Sequence, residues 1–206
     1  MKKVDYKRDF KTLYLPKLEP EIVDVPEAAY FMIEGEGDPN GEEFGVSVEA
    51  LYSLSYAVKM SYKGPRMPTG YYDYTVFPLE GVWDLIDKTK PVTDKSNFKY
   101  TLMIRQPDFL SNELYEYFLE ETLKKKKNPK LDNVKYVKSM DGLSIQILHR
   151  GSYDNEPASF EKMENYCKEM GYKRSCKTHR EIYLSDPRKT ASDKLKTVLR
   201  YKVEKI

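Results

Sequence analysis

Apolar and polar positions along the chain fall into two periods, and they change from one to the other twice. From 21 to 34 (EIVDVPEAAYFMIE) the alternation describes two extended runs broken at Pro26-Glu27, and the glycine-rich stretch 35–41 ends them. Phe44, Val48, Leu51, Leu54 and Val58 then recur at helical spacing, and Gly64-Pro65 with Pro68 stops that helix. Two strand-like runs follow, at 71–77 and 100–106.

The second half repeats the order. Runs at 134–138 and 143–150 flank Asp141-Gly142, a strong hairpin dipeptide. A helix beginning at Asn155 or Glu156 carries Pro157 in its first turn, buries Phe160, Met163, Cys167 and Met170, and stops at Gly171. Strands at 179–184 and 195–203 close the half. Between the halves, a helix from 113 to 126 has Ser111 as its N-cap and turns Leu114 and Phe118 inward. The pattern predicts one α+β domain over 1–206, built of two β-α-β-β repeats (about 21–106 and 132–204) joined by a linking helix (about 111–127). A pseudo-twofold axis would relate the repeats, with an antiparallel sheet, helices on one side and a ligand cleft between the repeats.

Composition narrows the function. Lys plus Arg number 35 against 33 Asp plus Glu, a net charge of +2, which argues against a nucleic-acid partner. No apolar stretch is long enough to span a bilayer, and the opening residues Met1-Lys2-Lys3-Val4-Asp5-Tyr6 lack the apolar core of a secretion signal. Two cysteines form no disulfide framework, so a cytoplasmic location is expected. About 20 residues precede the first strand, too few for a helix-turn-helix unit. The lysine run 124–127 ends a helix and reads as a solvated face.

The unusual count is tyrosine, 18 residues beside a single Trp. In the run Arg180-Glu181-Ile182-Tyr183-Leu184, strand alternation places Glu181 and Tyr183 on one face with His179 beside them. Ile182 and Leu184 take the other face, under the helices. Overlaying the halves on Pro78 and Pro187 matches Tyr72 to Glu181 and Tyr74 to Tyr183, bringing all four to one surface. Trp83 and, more remotely, Tyr153 on the turn before the second helix complete the ligand-binding candidates. A carboxylate among ring faces suits a planar aromatic ligand, cationic or neutral. Sheet surface and core packing account for the same residues without a ligand, and both readings stay open here.

Four blocks carry a resemblance: 5–14 (DYKRDFKTLY), 35–40 (GEGDPN), 101–107 (TLMIRQP) and 181–188 (EIYLSDPR). They resemble the GyrI-like (gyrase-inhibitor-like) small-molecule-binding proteins of the stand-alone type. The resemblance implies a ligand groove like that of the effector domains of multidrug-sensing regulators, with Glu181 where a strand glutamate meets cationic aromatic drugs. It also implies an activity, since some stand-alone members hydrolyse the strained cyclopropane of DNA-alkylating natural products inside an aromatic cage. Trp83 stands alone where relatives carry a pair, a departure from the pattern.

As an enzyme the chain would use Glu181 to orient or deprotonate water, with Tyr183 or Tyr72 donating to the developing oxyanion. No cofactor is expected. His149, His179, Cys167 and Cys176 offer one Cys-x-x-His pair and no second pair at metal-ligand spacing, so no metal is expected either. Gly35-Glu36-Gly37 lacks the third glycine of a dinucleotide loop. Three functions remain: sequestration of a small-molecule ligand, hydrolysis of a reactive electrophile, and an interaction module for a protein partner.

Overall fold

A computed structural model describes residues 3–206; Met1 and Lys2, the start of the segment read for a secretion signal, lie outside the described residues. In chain order the elements are α1 (Tyr6–Asp9), α2 (Lys11–Tyr14), β1 (Glu21–Val25), β2 (Ala28–Glu36), α3 (Glu42–Lys59), β3 (Leu79–Leu85), β4 (Phe98–Arg105), α4 (Asn112–Lys125), β5 (Lys135–Ser139), β6 (Gly142–Arg150), α5 (Glu156–Glu169), β7 (Tyr172–Arg174), β8 (His179–Tyr183) and β9 (Lys196–Lys205). The chain is mixed α+β, and its strand ladders are antiparallel. Among the described residues no helix is long and apolar enough to cross a membrane.

The three long helices α3, α4 and α5 follow their sequence signals closely, while the short α1 and α2 were not expected. Ser111 caps α4, its Oγ accepting from the Leu114 N–H at 3.2 Å. Pro157 sits in the first turn of α5, and Gly171 adopts φ 72° just beyond its end, a conformation that favours glycine. The strands depart from expectation in two places. Residues 71–77 form no ladder strand: Tyr74 makes an isolated parallel bridge to Val4, and the strand lies further on, at Leu79–Leu85. Pro68, Gly70 and Pro78 punctuate the earlier stretch and leave it extended but largely unpaired.

The second departure concerns partners. The chain forms two compact units whose segments interleave: residues 3–5, Ala28–Leu79 and Leu85–Ser139 make the first, and Tyr6–Glu27, Glu80–Asp84 and Met140–Ile206 the second. The run before Asp141-Gly142 does not form a hairpin with the run after it. Instead β5 pairs with β2 inside the first unit, and β6 pairs with β1 and β9 inside the second. Strand β6 is buried along Ser144–His149 and needs a partner on each side, whereas β5 is mostly exposed and sits at an edge.

In the first unit β4, β2 and β5 pair in that order, and Phe31, Ile33, Leu102 and Ile104 are fully buried beside Leu51 and Leu54 of α3. In the second unit the order is β1-β6-β9-β8-β3, with β7 on β9. One face of this sheet carries Ile145, Ile147, Leu199, Tyr201 and Val203 against Met163 and Cys167 of α5. The other face carries the polar groups Glu80, Gln146 and Arg200, which the short α2 meets. Tyr14 donates to Glu80 Oε1 (2.9 Å), Gln146 Nε2 to the Thr12 carbonyl (2.6 Å) and Arg200 Nη2 to the Leu13 carbonyl (2.6 Å).

Candidate functional site

Strand β8 divides by parity. Arg180 and Ile182 point to the α2 face, where Arg180 Nη1 donates to Glu80 Oε2 at 2.8 Å and Nη2 donates to Asp141 Oδ1 at 3.0 Å. His179, Glu181 and Tyr183 share the opposite face. The register sets Glu181 opposite Gly81 on one side and Leu199 on the other, with Trp83 opposite His179. Leu199 packs into the α5 core, so this is the face that α5 covers, and the sequence reading had placed Ile182 there instead. Glu181 consequently lies under a helix, only 9% exposed.

Around this carboxyl the side chains form a connected group. His179 Nε2 donates to Glu181 Oε1 at 2.9 Å, and Phe160 of α5 meets the imidazole edge-on at 4.9 Å. Trp83 Nε1–H donates to the Tyr183 hydroxyl at 2.9 Å, and that hydroxyl hydrogen-bonds Glu181 in turn. Burial first, then the charge of Glu181, raises the Tyr183 pKa well above its ordinary value, so the phenol stays a proton donor. The Tyr153 ring stands perpendicular to Tyr183 at 6.1 Å. Its pKa is pushed up to about 12 by burial and by the charges of Glu181, Glu156 and Asp186. Gly81 makes the group fit: a Cβ there would come within 2.9 Å of Trp83 Nε1 and 3.3 Å of the Tyr183 hydroxyl.

The residue that sequence reasoning missed is Glu156. It opens α5, is 7% exposed, and its Oε1 has no hydrogen-bond partner among the described residues. Burial, then the charges of Glu181 and Asp154, raises its pKa to about 10, so it is a neutral acid at neutral pH. A signal for it existed. Glu156, Phe160, Met163 and Cys167 lie at i, i+4, i+7 and i+11, so the inward stripe of the helix begins with a carboxyl group. His149, by contrast, is structural: Nε2–H donates to the Ser152 carbonyl and Nδ1 meets Ser159 Oγ, fixing the turn that leads into α5.

The predicted residues therefore divide. Glu181, Tyr183, Trp83 and Tyr153 come together in the second unit. Tyr72 and Tyr74 make their contacts in the first unit, on Phe109, with ring centroids 5.2 and 6.1 Å away. Tyr74 is 1% exposed with Lys59 Nζ 5.2 Å from its ring, and Tyr72 accepts from the Asp108 N–H. The overlay that equated them with Glu181 and Tyr183 relied on residues 71–77 being a ladder strand, which they are not. Cys176 bonds Thr178 rather than His179, and among the described residues no group of three or more His, Cys, Asp or Glu is placed to hold a metal ion.

The family model of the GyrI-like small molecule binding domain matches residues 18–203, and the chain belongs to the GyrI-like family. A hydrolase from Listeria innocua has a similar structure, with TM-score 0.92 and 36% identity over 98% of this chain and 100% of its own. An uncharacterised conserved protein from the same organism is similar at TM-score 0.92 and 38% identity, over 98% and 100% of the two chains. The EcmrR C-terminal domain shares the fold at TM-score 0.54 and 13% identity, over 91% of this chain and 98% of its own. A comparison with proteins of curated function yields no match.

Proposed function

We propose that the chain is a hydrolase that binds a planar aromatic electrophile on the α5 face of the second unit and detoxifies it by adding water. The observation that carries this reading is the carboxyl pair. Glu156 is buried and holds its proton through neutral pH, and it feels the charge of Glu181 nearby. Two carboxyl groups in unlike surroundings supply an acid and a base at one pH. The hydrolase from Listeria innocua, matched over its full length, supports the same class of reaction.

For a cyclopropane conjugated to a carbonyl, the step balances as follows. Glu181, oriented by His179, takes a proton from water while the water oxygen bonds to the ring carbon. The strained carbon–carbon bond breaks, and its electron pair moves through the conjugated system onto the carbonyl oxygen. Glu156, or the Tyr153 hydroxyl, donates the proton that oxygen needs. Transfer of the proton from Glu181 back to the acid restores the resting state. The rings of Trp83, Tyr153 and Tyr183 supply apolar faces for a flat substrate.

The single Trp makes binding and chemistry separable. Quenching of Trp83 emission follows binding, while chromatography follows the ring-opened product. Glu181→Gln and Glu156→Gln are each expected to keep the quenching and to lower turnover by about 100-fold or more. If the native chain binds such compounds and forms no product, it sequesters its ligand and the hydrolase reading fails.

A further inference from the structure

The lysine run 124–127 borders a cavity that the proposed function leaves unused. In the first unit, the last turns of α3 and α4 and the segment after α3 line a half-open cavity of about 270 Å³. This lies just under the roughly 300 Å³ at which ligand pockets begin, which restricts an occupant to one or two rings. Ala57, Met60, Pro65 and Phe118 give it apolar walls. Tyr117 adds a flat one, with the Arg66 guanidinium 4.8 Å from its ring centroid.

Two features give the cavity a polar preference. Ser61 lines it at 5% exposure, and its Oγ has no hydrogen-bond partner among the described residues. A buried hydroxyl left unpaired is costly and invites a partner from a ligand. The charged residues around the cavity are Arg66, Lys125 and Lys126 against Glu121. Arg66 is paired with Glu113, and Lys125 lies 3.6 Å from Glu121. Exposed Lys126 has no carboxylate partner among the described residues. The C-terminal dipoles of α3 and α4 add negative potential at this end, which the cations of Arg66, Lys125 and Lys126 must offset at the rim.

We propose that this cavity binds a small aromatic carboxylic acid. Its ring lies on Phe118, Met60 and the Arg66–Tyr117 pair, and its carboxylate turns toward Ser61 and Lys126. The assignment is independent of the chemistry at Glu181.

Calorimetric titration of the full chain with 2-naphthoate, against its neutral counterpart 2-naphthalenemethanol, tests it. The acid is expected to bind at least about tenfold more tightly than the alcohol. Lys126→Glu and Ser61→Ala should each weaken naphthoate about fivefold or more, a little under 1 kcal/mol. Ala57→Leu, which narrows the cavity, should abolish binding, and Glu181→Gln should leave it unchanged. Circular dichroism confirms that each variant is folded. Equal binding of acid and alcohol overturns the proposal, as does no binding of naphthoate to the native chain. Undiminished binding to Ala57→Leu, or loss of binding in Glu181→Gln alone, overturns it too.

Discussion

At Glu156 a carboxyl group occupies a place that the stripe of α5 would otherwise give to an apolar side chain. Burial raises its pKa from 4.5 to about 10, so the native chain keeps a proton that the unfolded chain releases. The stabilising contribution is complete below the unfolded value and is lost progressively as pH rises toward the folded one. Glu156→Gln cannot ionise. It should match the native chain near pH 4.5 and exceed it increasingly above that, by at most about 1.4 kcal/mol per pH unit. Urea unfolding at pH 5 and pH 8 checks this, and an equal margin at both would mean that Glu156 is ionised in the fold. Gly81 acts by omission, leaving the space that the Trp83 indole and Tyr183 hydroxyl fill. Gly81→Ala should cost about 1–3 kcal/mol through overpacking and shift the Trp83 emission as its hydrogen bond to Tyr183 breaks. An unaltered emission spectrum would show that a neighbour yields instead.

Among the elements, the three long helices were legible, while the short α1 and α2 and the strand partners were not. Helix signals are local: Ser111 at one end of α4, and Pro157 and Gly171 at the two ends of α5, each act within a turn or two of chain. Strand β8 was legible for the same reason, since parity alone puts His179, Glu181 and Tyr183 on one face. Parity does not say which face a helix will cover. That depends on pairing with β9, whose Leu199 lies opposite Glu181 and packs on α5. Strand β3 passed unrecognised because Gly81 and Asp84 interrupt its apolar run, while the tyrosine-rich stretch just before it has the stronger strand propensity. Glu156 was hidden in a helix start, where an acid ordinarily means only a favourable charge at the dipole.

For the whole molecule, the decisive feature is that neither unit is one continuous piece of chain. The second unit draws Tyr6–Glu27 and Glu80–Asp84 from the first two-fifths of the sequence and the rest from Met140 onward. A fragment 140–206 would keep β6, β7, β8 and β9 but lose β1, β3 and α2, leaving β6 and β8 each without one partner. Such a fragment is expected to be unfolded alone, with no cooperative thermal transition by circular dichroism; a sharp transition would show that those segments are dispensable.

The same interleaving bears on recombination between relatives of this chain. The linking helix α4 looks in the sequence like the natural crossover point between two halves. A crossover there would hand β1 and β3 of one parent to the second unit of the other, and give β5 of the second parent to the unit of the first. Each unit of the chimera would then contain foreign strands. Such exchange would be tolerated only where the parents already agree along those three strands, so β1, β3 and β5 are expected to vary in step with the partners they pair with rather than with their neighbours in sequence.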